Sequence, residues 1–141
     1  MRYKRVFLIQ PFYKERHYHF AYLPVGVGYV AEYLQKNNIA YDFLDMNMDL
    51  GRKYSFRYLI RRIRDFEPDI IGISMFTYRY KSTFDFINKL KNAVGDIDIV
   101  AGGPHVSTMD KKVLEDCPAI DTISPTAFLS LFIKSNVLLY L

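Results

Sequence analysis

Cysteine is almost missing from this sequence: Cys117 stands alone among 141 residues, so no internal disulfide can form. The N-terminus also lacks a positive start, an apolar run and a small-residue cleavage site, and together these two absences predict a soluble, reducing and cytoplasmic setting. No uninterrupted apolar stretch is long enough to cross a bilayer. The nearest approach begins at Ala127, but Ser130 and Lys134-Ser135-Asn136 break it, and no membrane partner is expected. A strong charge imbalance is lacking too, with 19 basic against 15 acidic side chains and a net charge of +4. Arg57, Arg61 and Arg64 share a helical stripe with Arg62 beside it. No interleaved aromatic platform accompanies them, so the stripe reads as a solvated face and no nucleic-acid partner is expected.

What is present is an orderly alternation. Val6 to Ile9 form a near-continuous apolar run within Lys4 to Gln10, which suits a strand buried on both faces of a parallel sheet. Val27, Val30, Ala31 and Leu34 then fall at helical spacing, with Asn37-Asn38 as the stop signal. Ala40 to Asp45 reads as a second strand. Phe56, Leu59, Ile60 and Ile63 mark a second helix closed by Pro68, and Asp69 to Ser74 is the clearest strand. A third helix runs through Phe84, Ile87, Leu90 and Val94 to Gly95, before a strand at Ile97 to Ala101. A helix from about Ser107 to Asp116 and a strand at Ile120 to Ile123 complete the series. Alternation of this kind predicts one three-layer α/β domain over residues 1–125, with a five-stranded parallel sheet in the flavodoxin-like order 2-1-3-4-5. The apolar tail 126–141 is expected to add a last helix on the open side of the sheet.

In such a sheet, ligands bind beyond the carboxyl ends of the strands. Gly102-Gly103-Pro104-His105 follows the fourth strand at once, and two glycines there leave bare backbone for a bulky ligand to approach. A bulky residue at Gly102 or Gly103 is then expected to block the ligand while sparing the fold. Ser74, Phe76 and Thr77 end the third strand at the same edge. His105 reads as a packing or hydrogen-bonding residue ahead of a catalytic one. His17 and His19 flank Tyr18 in the loop after the first strand but have no further metal ligands beside them. Gly26-Val-Gly28-Tyr-Val-Ala31 matches the dinucleotide pattern GxGxxA, with Asp45 where a ribose-binding acid would stand. Fifteen residues separate Gln10 from Gly26, whereas that pattern needs its first glycine directly after the strand. A nucleotide- or flavin-binding domain is therefore the alternative reading, and the plainer one is that these small residues let the helix start close against the sheet. An acidic pair, a strand-ending aspartate and a lysine, which a phosphoacceptor domain of this topology needs, are replaced by Gln10-Pro11, Ser74 and Ser124-Pro125.

The ordered series Leu23-Pro-Val-Gly-Val-Gly-Tyr-Val-Ala-Glu-Tyr-Leu34, Leu44-Asp45, Glu67-Pro-Asp-Ile-Ile-Gly-Ile-Ser-Met-Phe-Thr77, Ile99-Val-Ala-Gly-Gly-Pro-His-Val-Ser107 and Ile120-Asp-Thr-Ile123 resembles the N-terminal cobalamin-binding domain of cobalamin-dependent radical S-adenosylmethionine proteins. That resemblance implies a Rossmann-like sheet carrying the corrin on its carboxyl edge, with the nucleotide tail running beside the third and fourth strands. It implies a cofactor-binding set of Ser74, Phe76, Thr77, Gly102, Gly103, Pro104 and His105, with no catalytic residue. Where many cobalamin-binding domains carry DxHxxG, this chain reads Gln10-Pro11-Phe12-Tyr13-Lys14, so no histidine ligand to cobalt and no protein metal ligand is expected. Where the family continues into GEGE and a barrel with CxxxCxxC, this chain reads Ser124-Pro125-Thr126. One cysteine cannot build that iron–sulfur cluster. The expectation is a cobalamin-binding module without chemistry of its own, whose partner is a radical S-adenosylmethionine barrel domain or protein.

Overall fold

The computed structural model describes residues 3–11, 25–47 and 55–125. Five strands form one parallel sheet: β1 (Arg5–Gln10), β2 (Ala40–Asp45), β3 (Ile70–Ser74), β4 (Asp98–Gly102) and β5 (Thr122–Ser124), in the order β2-β1-β3-β4-β5. This is the predicted α/β arrangement with its predicted strand order. The helices are α1 (Val25–Lys36), α2 (Phe56–Phe66), α3 (Tyr80–Val94), α4 (Pro104–Met109) and α5 (Lys112–Asp116), with a 3₁₀ turn at Thr77–Arg79 ahead of α3.

Local chemistry sets several helix ends. The Ser55 hydroxyl accepts from the Tyr58 N–H at the start of α2. Glu67, just before Pro68, adopts the left-handed conformation that stops α2, and Gly95 with φ +68° ends α3. Two boundaries differ from the sequence reading. The single helix expected from Ser107 to Asp116 is two short ones beginning already at Pro104, because Asp110 takes φ +47° between them. Proline suits a first helical position, and the break lets Val106 and Val113 both reach the core. The fifth strand is Thr122–Ser124 instead of Ile120 to Ile123, with Asp121 just ahead of it bonded through its side chain to Lys91 and the Ile99 N–H.

The two faces of the sheet carry separate cores. Phe7, Ile9, Ile71, Ile73, Ile99 and Ala101 point to the face covered by α2, α3, α4 and α5. Val6, Leu8, Ile70 and Val100 point to the other, where α1 alone among the described helices packs through Val27, Val30 and Leu34. Each fully buried Leu or Ile stabilises by about 1.5–3 kcal/mol, so both faces contribute to folding. Gly26 and Gly28 correct one expectation: both are exposed on α1, nothing described lies within 4 Å of where a Cβ would stand, and neither draws the helix against the sheet. No helix among the described residues is long and apolar enough to cross a membrane. The tail expected as a last helix, residues 126–141, lies outside the described residues, as do His17 and His19.

Candidate functional site

In a parallel sheet, residues in register point to the same face. On the α1 face, Ser74 pairs with Gly102 and Gly102 with Ser124, while one step back Leu8 pairs with Gly72 and Gly72 with Val100. Gln10 pairs with Asp45, and continuing the β1–β3 register by one step sets Gln10 opposite Ser74. One row of polar and small residues thus crosses all five strands at their carboxyl ends: Asp45, Gln10, Ser74, Gly102, Ser124. The next row is Leu8, Gly72 and Val100. At Gly72 and Gly102, both buried, no side chain rises from the sheet beside Ser74. Ser74 is half-buried and its hydroxyl has no hydrogen-bond partner among the described residues.

The Gly102–His105 turn behaves differently at each residue. Gly102 belongs to β4, and its carbonyl accepts from the Met75 N–H at 2.8 Å. Gly103 has φ +101°, and a Cβ there would stand 2.8 Å from the Met75 carbonyl oxygen, 2.9 Å from the Met75 nitrogen and 3.3 Å from Ser74 Oγ. Backbone of β3 therefore fills the space beside Gly103, and a larger residue would disrupt the turn itself. The expectation that Gly103 tolerates bulk without harm to the fold is corrected accordingly. Pro104 is exposed at the first position of α4.

His105 is 3 % exposed and lies behind the turn, stacked on Tyr80 at 4.8 Å and edge-on to Phe84 at 6.1 Å. Its backbone N–H donates to the Met75 carbonyl at 3.2 Å. Tyr80 and Phe84 belong to the core opposite α1, so the imidazole stands on the far side of the sheet from the Ser74–Gly102–Ser124 row. Burial pushes its pKa below the ordinary histidine value, against an opposing pull from Asp116. Phe76 is half-buried with its ring 6.0 Å from that of Tyr78, and Thr77 is exposed at the start of the 3₁₀ turn. Among the described residues no group of three or more His, Cys, Asp or Glu side chains is arranged to hold a metal ion.

The structure thus brings Ser74 and Gly102 together with three residues that were not singled out for this site: Gln10, Gly72 and Ser124. Strand register would have found them, since Gly72 lies two residues before Ser74 and Ser124 falls beside Gly102. Asp45 entered the sequence reading only through the dinucleotide pattern.

A protein-family model described as "B12 binding domain" matches residues 16–126. The chain belongs to the B12-binding domain family. Among solved structures, this B12-binding domain is similar to the cobalamin-dependent S-adenosylmethionine radical enzyme OxsB with aqua-cobalamin and S-adenosylmethionine bound. The TM-score is 0.73 at 23 % identity, over 94 % of this chain and 18 % of that one. The apo form of OxsB matches with a TM-score of 0.55 at 22 % identity, over 77 % of this chain and 16 % of that one. At the sequence level the domain is 27 % identical over 100 residues to the uncharacterized methyltransferase PH0819 of Pyrococcus horikoshii, covering 71 % of this chain and 21 % of the relative. It therefore spans about a fifth of the length of the proteins it matches. Both the B12-binding family and the Rossmann-like fold are those that the ordered motifs pointed to.

Proposed function

We propose that this domain holds cobalamin with its corrin over the carboxyl edge of the sheet and its nucleotide tail on the α1 face, passing Gly72, Ser74, Gly102 and Ser124. The observation that carries this reading is the in-register row Ser74–Gly102–Ser124 above Gly72, because two positions without side chains and two with small hydroxyls keep side-chain relief low along adjacent strands. The fit to cobalamin rests on that shape: a tail threading the sheet needs low relief at the strand ends, and polar atoms near its ribose and phosphate. Phe76 and Thr77 border the entrance from the turn after β3. Gly103, Pro104 and His105 hold the turn in place by packing on Met75 and Tyr80, and so serve the site without touching the tail.

No histidine of this chain ligates cobalt in this reading, since Pro11 and Phe12 stand where DxHxxG would supply one. Bound cobalamin supplies the reactivity, and the domain supplies binding and orientation. The 141 residues perform no chemistry alone. The iron–sulfur cluster and S-adenosylmethionine site of the larger reaction belong to a barrel outside these residues, and the setting is cytoplasmic.

Titrating hydroxocobalamin into the purified protein, with the visible spectrum and co-elution in gel filtration as readouts, tests this. The expected result is saturable binding with a shifted corrin spectrum and a one-to-one complex. No spectral change and no retention at tens of micromolar cobalamin would overturn the proposal.

A further inference from the structure

Asp45 ends β2 and is 8 % exposed, a costly place for a carboxylate unless its oxygens find donors. Oδ1 is fully engaged, accepting from the Asn47 N–H at 2.8 Å and from Asn47 Nδ2 at 3.1 Å. Asn47 Nδ2 also donates to the Pro11 carbonyl at 2.8 Å, and the Met46 N–H donates to the Gln10 carbonyl at 3.0 Å. The carboxylate is thereby clamped between the ends of β1 and β2. Oδ2, by contrast, accepts no hydrogen bond among the described residues. A carboxylate held this rigidly, with one oxygen that the described residues leave uncommitted, is arranged to receive a donor from outside the fold.

Position narrows the donor. Asp45 lies in the same carboxyl-end row as Ser74, two strands away, or about 10 Å. A planar macrocycle whose tail descends near Ser74 reaches that far with its rim. Among the described residues no second carboxylate, histidine or cysteine joins Asp45 in a cluster suited to a metal ion. The corrin rim carries neutral primary amides, whose N–H groups match an acceptor-only carboxylate.

We infer that Asp45 is a cofactor-binding residue whose Oδ2 accepts a hydrogen bond from a primary amide on the corrin rim. This assignment rests on the cobalamin reading above. It gives β2, otherwise an edge strand far from the tail, a part in holding the macrocycle, and it makes Asn47 the positioning residue that aims the carboxylate.

The test compares hydroxocobalamin with cobinamide, which keeps the corrin amides but lacks the nucleotide tail, on wild type and on Asp45→Asn. D45N should weaken both ligands at least tenfold while its thermal midpoint stays within a few degrees of wild type. Wild-type affinity for both ligands in D45N would overturn the assignment and leave the cobalamin reading standing. A loss confined to hydroxocobalamin would place the donor on the tail and also overturn it. Failure of wild type to bind either ligand would remove the cobalamin reading and this inference with it. If D45N does not fold, the corrin heptamethyl ester, in which esters replace the rim amides, decides on wild-type protein. It should bind at least tenfold more weakly than cobinamide, and equal affinity would overturn the inference.

Discussion

The two ends of the sheet are built on opposite plans. At the amino end several polar groups tie elements of the chain to one another. Asp69 Oδ2 accepts from the backbone N–H groups of Lys4 and Arg5 at 2.7 and 2.9 Å, and Arg5 donates to the carbonyls of Phe66 and Glu67 at the end of α2. Asp121 receives both Lys91 and the Ile99 N–H, and Tyr3 reaches Asp98 at 2.9 Å. At the carboxyl end the row holds two small or absent side chains in its middle, and the Ser74 hydroxyl and Asp45 Oδ2 have no hydrogen-bond partner among the described residues. The difference lies in where the described residues satisfy one another: the amino end is tied by these bonds, while Ser74 Oγ and Asp45 Oδ2 at the carboxyl end accept none among the described residues. A concavity of about 470 Å³ lined by Ile63, Pro68, Ala93, Val94 and Ile97 does lie at the amino end. Arg64 and Glu67 line it as well.

The largest effect is expected where the two plans overlap. Gly103 sits at the carboxyl end yet packs on Met75 backbone, so Gly103→Ala should destabilise the fold by about 3 kcal/mol or more, read by urea unfolding. Wild-type stability would show that the turn yields more easily than its contacts suggest. Ser74→Phe comes next: it should raise a ring over the row of small residues and cost about a hundredfold in hydroxocobalamin affinity, equivalent to about 2.7 kcal/mol, while the protein remains folded. Calorimetric titration beside circular dichroism checks both halves of that statement.

These expectations also mark what was legible in the residues. The apolar runs Val6–Ile9 and Ile70–Ile73 and the helical spacing of Val27, Val30 and Leu34 report burial directly, so the strand order and layers followed from alternation. Ser74 and Gly102 were legible because they end strands. Gly72 and Ser124 were not, because membership in the site depends on register between strands far apart in sequence. Nor did a glycine pair disclose that Gly102 lies in the sheet while Gly103 fits against a neighbouring strand. The side of the sheet on which His105 lies is equally invisible until α3 is placed beneath it.

At the amino end, Asp69→Ala removes the acceptor for two backbone N–H groups and should cost about 1–2 kcal/mol in urea unfolding, the lower part of that range reflecting its exposure. A smaller effect concerns pH. The folded state holds the His105 pKa below its unfolded value, so the unfolded chain takes up the proton first. That contribution is intact above pH 6.5 and is lost as the pH falls below it, by at most about 1.4 kcal/mol per pH unit. Thermal unfolding from pH 7.5 to 5 should show a decline that His105→Phe reduces. Smallest of all, Arg61→Ala should change stability by less than about 0.5 kcal/mol, because Arg61 is exposed and makes only a ring contact with Tyr58 at 5.6 Å.

The most direct test of the contrast is a single side-by-side measurement of hydroxocobalamin affinity for wild type, Ser74→Phe and Asp69→Ala at a temperature where all three are folded. Wild type should bind, Asp69→Ala should match it within about twofold despite its lower stability, and Ser74→Phe should lose about a hundredfold. Equal binding by wild type and Ser74→Phe, or loss of binding in Asp69→Ala alone, would contradict the assignment of cobalamin to the carboxyl end of the sheet.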